Sequence, residues 1–428
     1  MLASTTRSVS RLARSSRTFA TVVDSAGVKV AAVDYGQPTS AVTFLVKGGS
    51  RFETKPGVAH ALKNFAFKST GKRSALGTVR ESELYGGVLS STLSREHLAL
   101  TAEFLRGDEE FFVDVLSSFI TSAKYTRHEF EEFVLPSLEA DSLAAQADPL
   151  TRALELAHTL AFRSGLGSSL FASPHAHLTH QDIQSYASSI FTKGNLAVLG
   201  TGIDQATLSK LVEKSLASLS ASGAAPSTTP SSYFGGESRL ENAHGPQTVF
   251  IGFGATGVPS AELAALSAHL SSTPSVKWSQ GTSPVSAGIP EDASVQTVLL
   301  PYSDAALFGL IVQGATPEAV KEAAKVAVKA LKEAAAPGGI KNEDFGKAVS
   351  KAKFQAASAI DSRDGLFSVL GAKVLAGSQA SVDSTLTALD KLTPSAFSKT
   401  SSTLLKAKPT FVAVGDANAL PFPDEVGL

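Results

Sequence analysis

Three residues of the segment 56–70, PGVAHALKNFAFKST, have the spacing of a zinc-peptidase motif. His60 and Asn64 are four residues apart, so both fall on one face of a helix, and Lys63 lies beside them. A zinc peptidase holds its ion with two imidazoles at this spacing, and a neighbouring glutamate accepts the proton of the metal-bound water. A lysine is normally protonated and repels a cation, and an asparagine amide is a poor zinc ligand. The segment therefore predicts a degenerate motif at His60, Lys63 and Asn64, with no catalytic and no metal-binding residues.

The helix that carries these residues recurs, with its neighbours, in the second half of the chain. The segment 41–67 predicts a strand, a glycine-rich turn and a helix, and the segment 247–270 predicts the same order. The segments 177–200 and 391–415 each predict a helix followed by a short apolar strand that ends in glycine. Because the two pairs occur in the same order, we interpret the chain as an internal duplication.

The predicted helix starts agree between the two copies. Thr179 and Thr393 are good N-cap residues, because a hydroxyl accepts a hydrogen bond from a free backbone N–H group. Asp182 completes an acidic variant of the capping box. Pro394 occupies the first helical position, where no backbone donor is needed. Both copies are therefore expected to begin their helices at these threonines.

Strands and amphipathic helices mix within each half, and apolar periodicity predicts helices over 109–125 and 317–336. The predicted fold class is α+β, with two homologous domains, each a mixed β-sheet packed with α-helices. Between them the chain is rich in Ser, Pro, Gly and Ala, which is typical of a linker. We place the N-terminal domain at 20–225, the linker at 226–238 and the C-terminal domain at 239–428.

Composition limits the kinds of protein this chain can be. Of its 428 residues 43% are hydrophobic and only 18% are charged, and the net charge of -1 gives no support for nucleic acid as a partner. The absence of cysteine excludes disulfides, thiolate metal sites and iron–sulfur clusters. No phosphate-binding loop, nucleophile elbow or membrane-spanning apolar run is present in the sequence. We therefore expect no cofactor.

The first residues differ from the rest of the chain. The segment 1–19 is rich in Ser and Thr, has no acidic residue and contains four arginines. Three of these arginines, at positions 7, 11 and 14, fall on one side of a helix, which is typical of a mitochondrial transit peptide. We predict cleavage between Phe19 and Ala20.

The motif segment resembles the pitrilysin/insulinase peptidases, whose inverted zinc motif is H-x-x-E-H. In their mitochondrial branch this region reads close to G-x-A-H-x-L-E-H-x-A-F-K-G-T. The chain has the same residues at Gly57, Ala59, His60, Leu62, Ala66, Phe67, Lys68 and Thr70. It departs at Lys63, in place of the catalytic glutamate, and at Asn64, in place of the second histidine. The resemblance also implies a third ligand, a glutamate about 70 to 80 residues further on. We place that position at Leu138, with Glu139 one residue away.

Longer stretches resemble a non-catalytic branch of this family, the core proteins of mitochondrial ubiquinol–cytochrome c reductase, respiratory complex III. The likeness lies in the stretches 91–120, 276–284 and 301–315. It implies a structural subunit that supports assembly and stability of the complex in electron transport from ubiquinol to cytochrome c. The implied partners are core protein 1, cytochrome b, cytochrome c1 and the iron–sulfur protein. The implied location is the matrix side of the mitochondrial inner membrane, as a peripheral subunit.

Two other functions stay open. The first is the non-catalytic substrate-binding subunit of the mitochondrial processing peptidase, which also lacks zinc ligands but carries a long, very glycine-rich loop. The matching segment 276–288 contains only two glycines, which disfavours this function. The second is an active metallopeptidase, which Lys63 and Asn64 disfavour.

A histidine cluster offers a separate candidate metal site. His175, His177 and His180 lie close together in the sequence, and His158 precedes them. Their spacing is loose, and no acid or cysteine joins them in the manner of a zinc site. We interpret the cluster as a surface loop before the helix that begins at Thr179.

Overall fold

The computed structural model describes residues 22–25, 27–220, 229–242, 245–274, 281, 283–376 and 383–428. The predicted transit peptide 1–19 lies outside these residues, and so does its cleavage site at Phe19 and Ala20. Residues 226–228 of the predicted linker and most of the stretch 276–284 also lie outside them.

The first half of the chain forms a six-stranded mixed sheet. Its strands are β1 Val22–Ser25, β2 Val28–Val33, β3 Thr39–Val46, β4 Val88–Leu93, β5 Leu98–Leu105 and β6 Leu196–Thr201. The order across the sheet is β1-β2-β6-β3-β5-β4. Strands β2 and β6 run parallel, and the other neighbours run antiparallel.

The second half forms a five-stranded sheet with matching topology. Its strands are β7 Gly236–Glu241, β8 Gln247–Thr256, β9 Ala293–Pro301, β10 Ala305–Gly314 and β11 Thr410–Gly415. The order β7-β11-β8-β10-β9 repeats β2-β6-β3-β5-β4 strand for strand, and the one parallel pair falls at the same place in both sheets. The duplicated α+β fold class is thereby confirmed. Strand β7 begins inside the predicted linker 226–238 and joins the second sheet.

Helices pack against both sheets. Those of the first half are α1 Val58–Phe65, α2 Ala75–Leu84, α3 Glu109–Ser122, α4 Arg127–Glu129, α5 Leu135–Ala147, α6 Pro149–Phe162, α7 His180–Ile190 and α8 Gln205–Ser215. A π-helical turn, Phe130–Val134, joins α4 to α5. Those of the second half are α9 Ala261–Leu270, α10 Pro317–Ala335, α11 Asn342–Ser358, α12 Arg363–Leu375, α13 Asp383–Asp390 and α14 Pro394–Leu405. In the described part of the chain, no helix has both the length and the apolar character needed to cross a membrane.

The local signals read from the sequence are confirmed. The predicted helices over 109–125 and 317–336 are α3 and α10. Helix α7 begins with a full capping box, in which Thr179 and Asp182 exchange side-chain-to-backbone hydrogen bonds of 3.2 and 2.9 Å. Helix α14 begins with Thr393 as its N-cap and Pro394 at the first helical position.

Strand β3 shows why the first sheet must be covered on both faces. Its sequence TSAVTFLV is buried along almost its whole length. Because successive side chains of a strand point to opposite faces, Val42 and Phe44 join the apolar cluster under α1, α3 and α7, whereas Ala41 and Leu45 join a cluster on the other face. A strand with two apolar faces is stable only between two layers.

Each half supplies the helix that covers the open face of the other half's sheet. Helix α6 belongs to the first half but packs on β8 and β11 through a stripe of small residues, Ala153, Ala157 and Ala161. Helix α12 belongs to the second half but packs on β2, β3 and β6 through Leu366, Leu370 and Val374. Neither sheet therefore buries both its faces with residues of its own half alone.

Candidate functional site

The degenerate motif sits on α1, whose first turn is fixed by two close contacts. Gly57 precedes the helix with a φ of 86°, in the left-handed region that favours glycine, and a Cβ there would lie 2.6 Å from the Cβ of Ala172. The Glu53 carboxylate accepts a hydrogen bond from the Gly57 N–H at 3.0 Å. Burial raises the pKa of Glu53 to about 7, although backbone N–H groups of Gly57 and Ala59 oppose the shift. The start of α1 is thus held by the Glu53 carboxylate and by the close approach of Gly57 to Ala172.

His60 is buried, with 3% of its surface exposed, and both its ring nitrogens have partners. Nδ1 lies 3.1 Å from the backbone N–H of Ala172, so it accepts that hydrogen bond and carries no proton itself. In the neutral ring the proton must then be on Nε2, which donates to Asp141 Oδ2 at 3.0 Å. Burial lowers the pKa of His60, and this outweighs the opposing effect of Asp141. The neutral tautomer with its proton on Nε2 is therefore favoured.

Asp141, on α5, gathers the three motif residues around one carboxylate oxygen. Lys63 Nζ and Asn64 Nδ2 each lie 3.2 Å from Asp141 Oδ2, which also accepts from His60. Burial raises the pKa of Asp141, but these hydrogen bonds and the charge of Lys63 outweigh it and hold the pKa below its usual value. The predicted common face of His60 and Asn64 is also present, since His60 Nε2 and Asn64 Nδ2 are 3.4 Å apart. The result is a charge-neutralised, hydrogen-bonded cluster.

An acidic side chain near the position inferred for a third ligand contacts the motif. Leu138 is buried in the apolar core and Glu139 is exposed, whereas Asp141, three residues after Leu138, reaches the motif. The chain reaches Asp141 through the π-helical turn Phe130–Val134 and then through α5, which includes Pro136, a residue with no N–H to donate.

The donors at this site do not fit a zinc ion. Zinc binds imidazole through a lone pair, but His60 Nε2 holds a proton that is committed to Asp141, and Nδ1 is committed to Ala172. Lys63 places an ammonium group beside the same carboxylate. Across the described ranges, no three His, Cys, Asp or Glu side chains are grouped so that they could hold a metal ion. The described geometry offers neither a three-ligand centre nor a carboxylate base.

The histidine cluster lies where the sequence suggested. His175 and His177 are in the loop before α7, and His180 is the first residue of that helix. The loop is tied down by Lys55, whose ammonium donates to the His177 carbonyl and to Asp182. His158 is elsewhere, buried on α6.

The chain is similar to a known peptidase family along most of its length. Residues 29–173 match the family described as insulinase (peptidase family M16), and residues 177–352 match the peptidase M16 inactive domain. A Cryptococcus neoformans protein is 42% identical over 96% of this chain and 95% of its own length, and it is named cytochrome b-c1 complex subunit 2, mitochondrial. The chain belongs to peptidase family M16, in its cytochrome b-c1 complex subunit 2 branch.

Other members of this M16 branch agree. Proteins with the same name from Yarrowia lipolytica and Neurospora crassa are 37% and 38% identical to the chain. They match 98% and 94% of it, and 100% and 90% of their own lengths. The resemblance to the peptidase family and to its complex III core proteins is confirmed, and core protein 2 is the branch concerned.

Proposed function

We propose that this M16 member is a non-catalytic structural core subunit of mitochondrial complex III, which supports assembly and stability of the complex as it passes electrons from ubiquinol to cytochrome c. The observation that carries the proposal is the full-length similarity to relatives named cytochrome b-c1 complex subunit 2, at up to 42% identity. The similarity spans both sheets and both exchanged helices. It therefore supports a role of the whole chain.

The degenerate site supports the non-catalytic part of this proposal. Asp141 accepts hydrogen bonds from His60, Lys63 and Asn64. This leaves His60 no lone pair for a metal ion, and it leaves no base to accept a proton from water. A cluster of this kind stabilises the packing of α1 on α5, because each hydrogen bond to a charged group contributes about 1.5–3 kcal/mol when it is shielded from water. Asp141 is 37% exposed, so each bond contributes less than this, about 0.2–1 kcal/mol. The former catalytic helix serves packing.

We propose finer assignments as well, on the resemblance to the core proteins and on the sequence. The chain is a peripheral subunit on the matrix side of the inner membrane, and its partners are core protein 1, cytochrome b, cytochrome c1 and the iron–sulfur protein. Its domains are 20–225 and 239–428, joined by the linker 226–238. The transit peptide 1–19 is removed between Phe19 and Ala20, and the subunit uses no metal and no cofactor of its own.

Purification of the tagged chain from mitochondria tests the proposal. We expect the other complex III subunits to be recovered in equal amounts, and the chain to migrate with cytochrome b and cytochrome c1 on native gels. Recovery with only a soluble processing-peptidase partner would support the alternative function and overturn this one.

A matched pair of variants tests the non-catalytic role separately. Lys63→Gln and Asn64→Ala alter the degenerate motif, and each should leave the ubiquinol–cytochrome c turnover of the assembled complex unchanged. Depletion of the chain should instead lower the amount of assembled complex. A loss of turnover per complex in either variant, without a loss of assembled complex, would contradict a purely structural role.

A further inference from the structure

Two equivalent hairpins, one from each sheet, meet at their tips. Strands β4 and β5 are joined by the turn 94–97, the first tip, and β9 and β10 are joined by the turn 302–304, the second tip. The two hairpins occupy the same place in the strand orders of their sheets. Hydrogen bonds between Glu96 and Ser303 join the first tip directly to the second. The duplicated halves therefore touch through the same structural element.

Arg51, in the short turn before α1, binds both tips at once. Its side chain is 3% exposed. The guanidinium donates two parallel hydrogen bonds of 2.7 Å to the second tip, from Nη1 to Asp304 Oδ1 and from Nη2 to Asp304 Oδ2. Nη1 also donates to Glu96 Oε1 of the first tip at 2.8 Å. A bidentate arginine–carboxylate pair fixes orientation as well as distance. A shift of one half against the other would break this geometry.

Each of the two carboxylates that accept from Arg51 also accepts from a serine. Glu96 accepts from the Ser303 N–H at 3.0 Å and from the Ser303 hydroxyl at 2.5 Å. Asp304 accepts from the N–H and hydroxyl of Ser231, at 2.9 and 3.0 Å, where the chain enters the second half. The side chains of Arg51 and Glu96 are buried, and that of Asp304 is partly exposed. Loss of either carboxylate would leave the buried Arg51 charge with one partner fewer.

A further bond ties the second tip to the exchanged helix α6. His158 Nδ1 lies 2.7 Å from the Leu154 carbonyl oxygen, so Nδ1 carries the ring proton and donates to it. His158 Nε2 must then accept, and the Tyr302 hydroxyl donates to it at 2.6 Å. His158 is buried and Tyr302 is half-buried. The second tip is thus held by α6 as well as by Arg51 and Glu96.

We propose that the two tips, with Arg51 between them, form an interdomain lock that fixes the angle between the halves of the chain. The lock makes the subunit a rigid frame, and it denies the chain any hinge motion that would separate the halves. This goes beyond the proposed function, since it assigns a conformational role to residues that no comparison singles out. The tip sequence Tyr302–Asp304 is part of the likeness to the core proteins, and its role in this proposal is to hold the two halves at a fixed angle.

Distance measurements between spin labels test the lock in the full chain. The chain has no cysteine, so Gln184→Cys on α7 and Lys329→Cys on α10 place one label on each half without background labelling. Both positions are exposed and lie on helices. In the otherwise unchanged protein we expect one narrow distance distribution. In Arg51→Ala or Asp304→Ala we expect it to become at least twofold broader or to split.

Matched controls separate the lock from general loss of stability. Arg127→Ala removes an exposed ion pair with Glu131 and should leave the distribution unchanged. If the alanine variants do not fold, Ser303→Ala and Ser231→Ala remove only neutral donors from the lock and should give a smaller broadening in a folded protein. A distribution that is already broad in the parent overturns the proposal. So does a distribution that stays narrow in every folded lock variant.

Discussion

His60 Nε2 lies 3.0 Å from Asp141 Oδ2, although the two residues are 81 positions apart in the chain. The proton of His60 Nε2 forms this bond, and Nδ1 accepts from the Ala172 N–H at 3.1 Å. His60 therefore has no free lone pair for a metal ion, whichever residues stand at positions 63 and 64.

Substituting the family's residues at positions 63 and 64 is not expected to restore zinc binding. We predict that the double variant Lys63→Glu, Asn64→His retains no zinc after incubation and dialysis, because His60 Nδ1 still accepts from the Ala172 N–H and Nε2 still donates to Asp141. Metal analysis measures this, with the unchanged chain as the control. About one zinc per chain in the double variant, lost when His60→Ala is added, would contradict the prediction.

Buried His158 is expected to make the fold sensitive to acid. Burial, together with the charge of Arg95, lowers the pKa of His158 from 6.5 to about 3, so the unfolded chain binds a proton that the folded chain rejects between these values. Stability is therefore lost as the pH falls below about 6.5, by up to about 1.4 kcal/mol per pH unit from this group. Urea unfolding of the parent and of His158→Gln from pH 7 to 5 measures it.

The quantity to compare between the two proteins is the slope of the free energy of unfolding against pH, not its value at one pH. The variant also loses the bond from Tyr302, so it should be less stable at neutral pH, but its free energy of unfolding should fall less steeply with acid. Other buried titrating groups, such as His60 and Glu53, are common to both proteins and cancel in the difference. Parallel slopes would contradict the assignment.

The alanine stripe of α6 is expected to tolerate no larger side chain. Ala157 is fully buried against the second sheet, so Ala157→Leu should lower the free energy of unfolding by about 1–3 kcal/mol through overpacking. Ala144→Leu, on the exposed side of α5, is the matched control and should change it by less than about 0.5 kcal/mol. Chemical denaturation measures both. Equal effects would mean that α6 does not pack as closely as the structure shows.

Processing of the amino terminus is the remaining prediction. We expect the protein isolated from mitochondria to begin at Ala20, because the arginine-rich segment before it has the pattern of a matrix-directed transit peptide. Sequencing of the native amino terminus measures this directly. An intact Met1 would exclude cleavage.

Local signals in the sequence were sufficient to predict several features of the structure. The caps at Thr179 and Thr393 act through bonds to residues three positions away, so a short window contains all that determines them. The pairing of His60 with Asn64 follows from helical spacing alone. The internal duplication was visible because equivalent elements recur in the same order.

Features that depend on distant contacts could not be predicted in this way. The contact of Asp141 with the motif depends on the packing of α5 against α1, which brings its carboxylate beside His60 and Asn64, 81 and 77 positions away. The small residues of α6 allow a sheet to approach the helix closely, but they do not indicate which of the two sheets packs there. Arg51 and Asp304 are 253 positions apart, and their pairing follows only from the way the two halves meet.

The exchange of α6 and α12 between the halves limits the order in which the chain can fold. The apolar stripe of α6, complete by Phe162, has no sheet to cover until β8 has formed and β11, residues 410–415, has paired with it in the middle of the second sheet. When such a chain enters a compartment amino terminus first, the core between α6 and the second sheet therefore stays incomplete until almost the last residue has entered. Such contacts between distant segments form slowly and leave apolar surface open to aggregation meanwhile. The two halves are thus one folding unit, in which neither half can complete its packing before the other.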